Sequence, residues 1–224
     1  MTHFSDGVRV GRYFGNNGTA TVPGVPLMPI SVYDIVPATL DADGIAAAQA
    51  VAGAGNLNLN GALASGGTVT LDVPRAVEID SASASDTTQT ATVYGTDAYG
   101  VPMTEVIAFN GTTAVAGQKA FKTVTRVAIS AATAGNVNVG TTDVFGLPYR
   151  VDSRNYVLTA WDGAFVTTGT FAAADTTNPA TTTTNDVRGT FLPPSAANGT
   201  RRLTVWIYTS DDDTQTGLYG VAQA

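Results

Sequence analysis

Hydrophobic and polar residues alternate with a period of two through the middle of this chain, the pattern of strands with one buried face. "GNLNLNG" (residues 55–61) puts Leu57 and Leu59 on one side and asparagines on the other. "GTVTLDV" (67–73) turns Val69, Leu71 and Val73 inward, and "GNVNVG" (135–140) does the same with Val137 and Val139. "TATVYGTDAYGVPMTEVIAFNG" (90–111) reads as a hairpin, two strands around the turn Asp97-Ala98-Tyr99-Gly100. "KTVTRVAIS" (122–130) alternates with a fault: Val124 stands on the parity opposite Val127 and Ile129, which predicts a β-bulge. "NYVLTAWDGAFVTTGTF" (155–171) and "TRRLTVWIYTS" (200–210) add further strands. The second sets Leu203, Val205 and Ile207 against Arg202, Thr204, Trp206 and Tyr208, so aromatic bulk on its other face predicts cover on both sides.

The flanking segments read differently. Residues 1–39 look like an extended arm, because Pro23, Pro26, Pro29 and Pro37 among Gly and Asn favour extended or polyproline backbone. The arm is too apolar for a solvated tail. It lies against its own domain or against a neighbouring subunit. "DADGIAAAQAVAGAG" (41–55) is rich enough in alanine for one or two helical turns, and equally suits a strand of small residues on a packed sheet. Residues 172–186 form a threonine-rich loop too long for a hairpin turn, and so either mobile or ordered by a partner. A boundary falls near "GLPYRVDSRN" (146–155). The expected fold is all-β: an antiparallel β-sandwich or barrel-like domain over 40–150, the N-terminal arm 1–39, and a smaller C-terminal β region 151–224.

Composition sharpens this picture. Apolar residues make up 44% of the 224, as in an ordinary globular domain, but charged residues only 13%, against about 25% in a typical soluble domain. Thr, Ser, Asn and Gly supply the polarity instead. Burying such residues against a neighbour costs far less than burying Lys, so much of the surface is expected to face other proteins. Of the 18 acidic residues only Glu78 and Glu105 are glutamates, and the two lysines are Lys119 and Lys122. A chain so poor in long helix-forming polar residues reads as β throughout.

The same numbers exclude several chemistries. A net charge of −7 argues against a nucleic-acid partner. Without cysteine there are no disulfides, zinc thiolates or thiol nucleophile. His3 is the only imidazole, and no G-x-S-x-G elbow accompanies it. Asp41 and Asp43 imitate the opening of a calcium loop, but Ala52 stands where a bidentate Glu is needed. The run Asp211, Asp212 and Asp213 could chelate calcium and equally suits a solvated turn. The first residues have no signal-peptide core and no stretch is apolar enough to span a membrane, so the expectation is cytoplasmic synthesis, no membrane partner, no cofactor and no enzymatic activity. Lys122 and Arg126 share a strand parity with Lys119 close by, a local contact for carboxylates or an ordinary solvated face.

Residues 93–151 resemble a recurring segment of tailed-bacteriophage virion proteins of the capsid decoration, or cement, type. The hairpin "YGTD-x-YG-x-PM-x-E" and the following "G-x-KAFKTVT" carry the resemblance, which runs from about residue 39 to 151 and more faintly onward. It implies a β-rich, non-catalytic protein on the capsid exterior, forming a homotrimer at a local threefold, with the major capsid protein as its partner. On that reading residues 8–36 clasp a neighbour or the capsid through Tyr13, Phe14, Leu27, Met28, Ile30 and Tyr33, and Lys119, Lys122 and Arg126 meet an acidic surface. The rival readings are a tail, neck or fibre component, and a glycan-binding adhesin using Tyr94, Tyr99 or Trp161.

Overall fold

The computed structural model describes residues 2–3, 9–12, 29–177 and 180–208. Among these the regular elements are strands, apart from one 3-10 turn at Arg154–Tyr156. In chain order they are β1 (Thr2–His3), β2 (Arg9–Arg12), β3 (Pro29–Ile35), β4 (Ala46–Gln49), β5 (Gly55–Asn56), β6 (Ala64–Ser65), β7 (Thr68–Ser81) and β8 (Thr90–Thr96). There follow β9 (Pro102–Ala108), β10 (Val115–Ile129), β11 (Val137–Gly146), β12 (Val157–Trp161), β13 (Ala164–Phe165), β14 (Thr170–Ala172), β15 (Thr190–Leu192) and β16 (Leu203–Tyr208).

The strands form two antiparallel sheets. The larger follows the order β14-β15-β11-β7-β10-β8-β9, with β4, β5 and β6 as side branches, and it curls into a half-barrel. The smaller runs β1-β2-β3-β16-β12-β13. Strands β7 and β10, 14 and 15 residues long, are longer than a straight twisted strand usually remains, and bulges bend them. The fault read at Val124 is real: the pairing of β10 with β8 shifts between Val124 and Arg126, and that with β7 shifts between Phe121 and Thr123. The extra residues let Val124, Val127 and Ile129 all turn inward.

Two apolar clusters result. One fills the concave side of the curl, where Val69, Leu71, Val93, Met103, Phe121 and Val139 are all buried. The other lies between the sheets, with Phe145, Trp161, Phe191, Leu203, Val205 and Ile207 against Tyr33 and Ile35. Emptying any of the larger of these sites, Ile207→Ala for instance, would cost about 2–5 kcal/mol.

The segments at the two ends interleave with the rest. Strand β3, from the arm, pairs along its length with β16, from Leu203↔Ile35 to Tyr208↔Ile30. Strands β14 and β15 lie beyond residue 150 yet join β11 in the larger sheet. Residues 41–55 resolve as strand, since β4 pairs with Val137 and Val139 of β11. Small residues permit this approach: a Cβ on Gly140 would strike the backbone of Ala42. "GNLNLNG" is strand only at β5. Beyond it the Gln49 side chain holds the Asn58 backbone, accepting from its N–H at 2.9 Å and donating to its carbonyl at 2.7 Å. The alternation survives because Leu57 is buried and donates its N–H to the Val127 carbonyl at 2.9 Å.

The threonine-rich loop is ordered by its own chain. Val106 donates to the Thr182 carbonyl at 2.8 Å, and Ala120 donates to the Asp186 carboxylate at 3.0 Å. Its described residues therefore extend the edge of β9 without a partner molecule.

Candidate functional site

The lysines were expected outside, and one of them is the most enclosed charge in the molecule. Strand β8 pairs with β10 only over 123–129, so the first half of β10 has N–H groups with no strand on that side. Carboxylates take them. Gln118 and Lys119 donate their N–H groups to Glu105 at 2.5 and 3.3 Å, and Ala120 donates to Asp186. The Lys119 side chain is fully buried, and its ammonium donates to the Thr104 carbonyl at 3.0 Å and to the Thr181 carbonyl at 2.8 Å. Lys119 is thus a tie between β9, β10 and the loop, and presents no charge to a capsid surface.

Burial governs the protonation of this cluster. It pushes the Glu105 carboxyl up to about 7, against the opposing pull of the two N–H groups and of the Lys119 ammonium. It also pushes the Lys119 ammonium down from its ordinary value, with Glu105 and Asp186 opposing. Poised acid and base groups are a mark of active sites as well as of structural ties. Here a cleft of about 230 Å³ between β10, β14 and β15 reaches Gln118 and Asp186 but neither Glu105 nor Lys119. The arrangement gives no substrate access to the shifted pair.

The other predicted contact residues disperse. Lys122 turns to the backbone of β7, donating to the Leu71 and Asp72 carbonyls at 2.7 and 3.0 Å. Arg126 is exposed with its guanidinium 3.5 Å above the Tyr94 ring. The shared parity of Lys122 and Arg126 therefore yields no shared patch, because the bulge after Val124 rotates one against the other. Ile30 and Tyr33 lie on opposite faces of β3, Ile30 outward and Tyr33 toward the other sheet. Tyr13, Phe14, Leu27 and Met28 fall outside the described residues, as do Asp211, Asp212 and Asp213.

Two buried arginines escaped the sequence reading. Arg75 donates to Asp143 at 2.9 Å and to the Thr142 carbonyl at 2.7 Å, and its guanidinium lies 5.2 Å from the Phe145 ring centre. Arg188 pairs with Asp97 at 2.6 Å and lies 4.8 Å from the Tyr99 ring centre. Arg75 could have been found: it shares the inward parity of Val73 and Val77. Asp97 gives no such signal, being a turn residue whose carboxylate also accepts from the Tyr99 and Val101 N–H groups.

Two surfaces remain open. Between the sheets a cleft of about 230 Å³ is lined by Tyr33, Tyr99, Pro74, Pro148, Asp72 and Lys122 among others. The Tyr99 hydroxyl donates to the Pro148 carbonyl at 2.6 Å. Burial, then Tyr99 and Asp72, push the Tyr33 hydroxyl above its ordinary range, so it stays protonated. On the outer face of the smaller sheet Phe165 is 68% exposed and tilted against Trp206, with Leu158 opposite Trp206 on the neighbouring strand. Trp161, by contrast, is buried and donates to Ser195, and the Tyr94 ring is covered by Arg126.

Among the described residues no group of His, Cys, Asp and Glu could hold a metal ion, and no helix is long and apolar enough to cross a membrane. Comparison with protein-family models, with curated proteins and with solved structures returned no match.

Proposed function

We propose that this chain is a non-enzymatic structural component of a tailed-phage virion, which decorates the capsid exterior as a homotrimer and bridges major capsid protein subunits. The observation that supports it best is where the few charges lie. Arg75, Lys119 and Arg188 are buried as internal cross-ties, leaving a surface dominated by uncharged polar and apolar residues. Such a surface can be covered by neighbours at little desolvation cost. Contacts of modest strength, repeated by symmetry, then add up through avidity. The internal ties suit a subunit that must hold its shape under load.

The test is copy number. Purified shells incubated with the chain should bind it in numbers comparable to the major capsid protein, and should then resist heat better. Absence of binding refutes the reading. A few copies at one vertex would favour a tail or neck component instead. The exposed Phe165–Trp206 pair favours a second reading, a host-glycan adhesin, in which isolated protein binds cells saturably and Trp206, in place of Trp161, carries the contact.

A further inference from the structure

The cleft between the sheets has the make-up of a polyproline receptor. Tyr33, Tyr99, Pro74 and Pro148 provide flat aromatic and prolyl walls. A polyproline II segment packs its rings on such walls, and its backbone carbonyls, unbonded within the helix, need donors from outside. Lys122 stands in the cleft wall with three donors, two of them given to the Leu71 and Asp72 carbonyls. The third can meet a ligand carbonyl. The walls are fixed in advance, since Tyr99 is held by the Pro148 carbonyl on one side and by Arg188 against its ring.

The chain carries a segment that fits. Pro23, Pro26 and Pro29 are spaced by three. A helix of three residues per turn puts all three on one edge. We propose that residues 22–28 of one copy dock in this cleft of a second copy, so that the arm of each subunit locks into its neighbour. This deepens the assembly role proposed above by naming the arm's receptor, and it requires no capsid.

Reach decides for a second copy over the chain's own arm. Pro29 is fixed opposite Arg12 at the start of β3. Tyr33 and Ile35 lie about 13 and 20 Å further along that strand, at roughly 3.3 Å per residue. Pro26 can stand no more than about 10 Å back from Pro29 even if the chain doubles over, and a stiff polyproline segment does not double over. A neighbour's segment has no such tether.

The absence of native cysteine makes the test direct. Val25→Cys in one preparation and Ala98→Cys in another, the latter at an exposed position in the cleft, are mixed under mild oxidation after each is shown to melt like the parent. The expected result is a disulfide-linked dimer in the mixture, about tenfold above either variant alone, and its loss when Pro23→Ala and Pro26→Ala are added to the Val25→Cys chain. No dimer above the single-variant level, or a dimer indifferent to the prolines, overturns the proposal. A chain bearing both cysteines that oxidises only to a compact monomer also overturns it, because the arm then occupies its own cleft. Shell binding plays no part in the readout, so this proposal and the decoration reading can fail separately.

Discussion

Replacing Glu105 with glutamine tests the account of the buried cluster most sharply. The unfolded chain releases this proton near the ordinary value of 4.5, while the folded chain holds it up to about 7. Within that window the native state binds more protons than the unfolded state. The stabilising contribution is therefore fully present below 4.5 and is lost as pH rises through about 7. At about 1.4 kcal/mol for each pH unit separating the two values, the loss is at most ~3 kcal/mol, and the nearby Lys119 ammonium reduces it. Glutamine adds a cost of its own, because its amide must face one of the two N–H groups that the carboxylate accepted. That cost is about 1–3 kcal/mol and independent of pH. Urea unfolding of both proteins between about pH 5 and about pH 8 should show the parent ahead of Glu105→Gln at the acid end, with the gap narrowing by up to ~3 kcal/mol at the alkaline end. Other carboxylates that titrate in this range, Glu78 among them, cancel in the difference. A gap that stays constant, or widens with pH, would refute the idea that an ionised Glu105 is costly here.

Other perturbations have equally definite outcomes. Arg75→Met strands Asp143 beside an apolar side chain and should lower stability by about 3–5 kcal/mol in the same urea assay. Gly95→Ala pushes a Cβ into the Thr123 carbonyl of the adjacent strand, a collision no flexible group relieves; a loss of about 3 kcal/mol or more, read as a drop in melting temperature, is expected. Acrylamide should quench Trp206 far more than the buried Trp161, so Trp206→Phe abolishes most quenching and Trp161→Phe leaves it. Phe165→Ser, at a side chain 68% exposed, should change monomer stability by no more than about 0.5 kcal/mol. Its effect should appear instead in self-association measured by light scattering.

The strands of the larger sheet were legible because period-two alternation reports burial directly, and even the bulge after Val124 showed as a break in that period. What alternation cannot report is which strands lie together. The pairing of β3 with β16 joins residues at opposite ends of the chain, and nothing local in "PISVYDI" names its partner. The contact residues were harder still. Reading Lys122 and Arg126 as one patch assumed an unbroken pleat, which the bulge itself denies. Lys119 was placed outside because lysine is seldom buried. The carbonyls that hold it come from Thr104 and Thr181, distant in sequence, and carbonyls leave no mark on a side-chain pattern. Ala46–Gln49 stayed open between helix and strand because alanine suits both, and only the approach of β11 decides it.

The seam between β3 and β16 also sets a schedule. A ribosome has delivered nearly the whole sequence before the partner of β3 exists, and pairings between such remote segments form slowly. The half-barrel can condense while synthesis continues, whereas the wall that carries Tyr33 has to wait for the final strand. Subunits should consequently associate only after release, which protects a growing polypeptide from premature entanglement with its siblings.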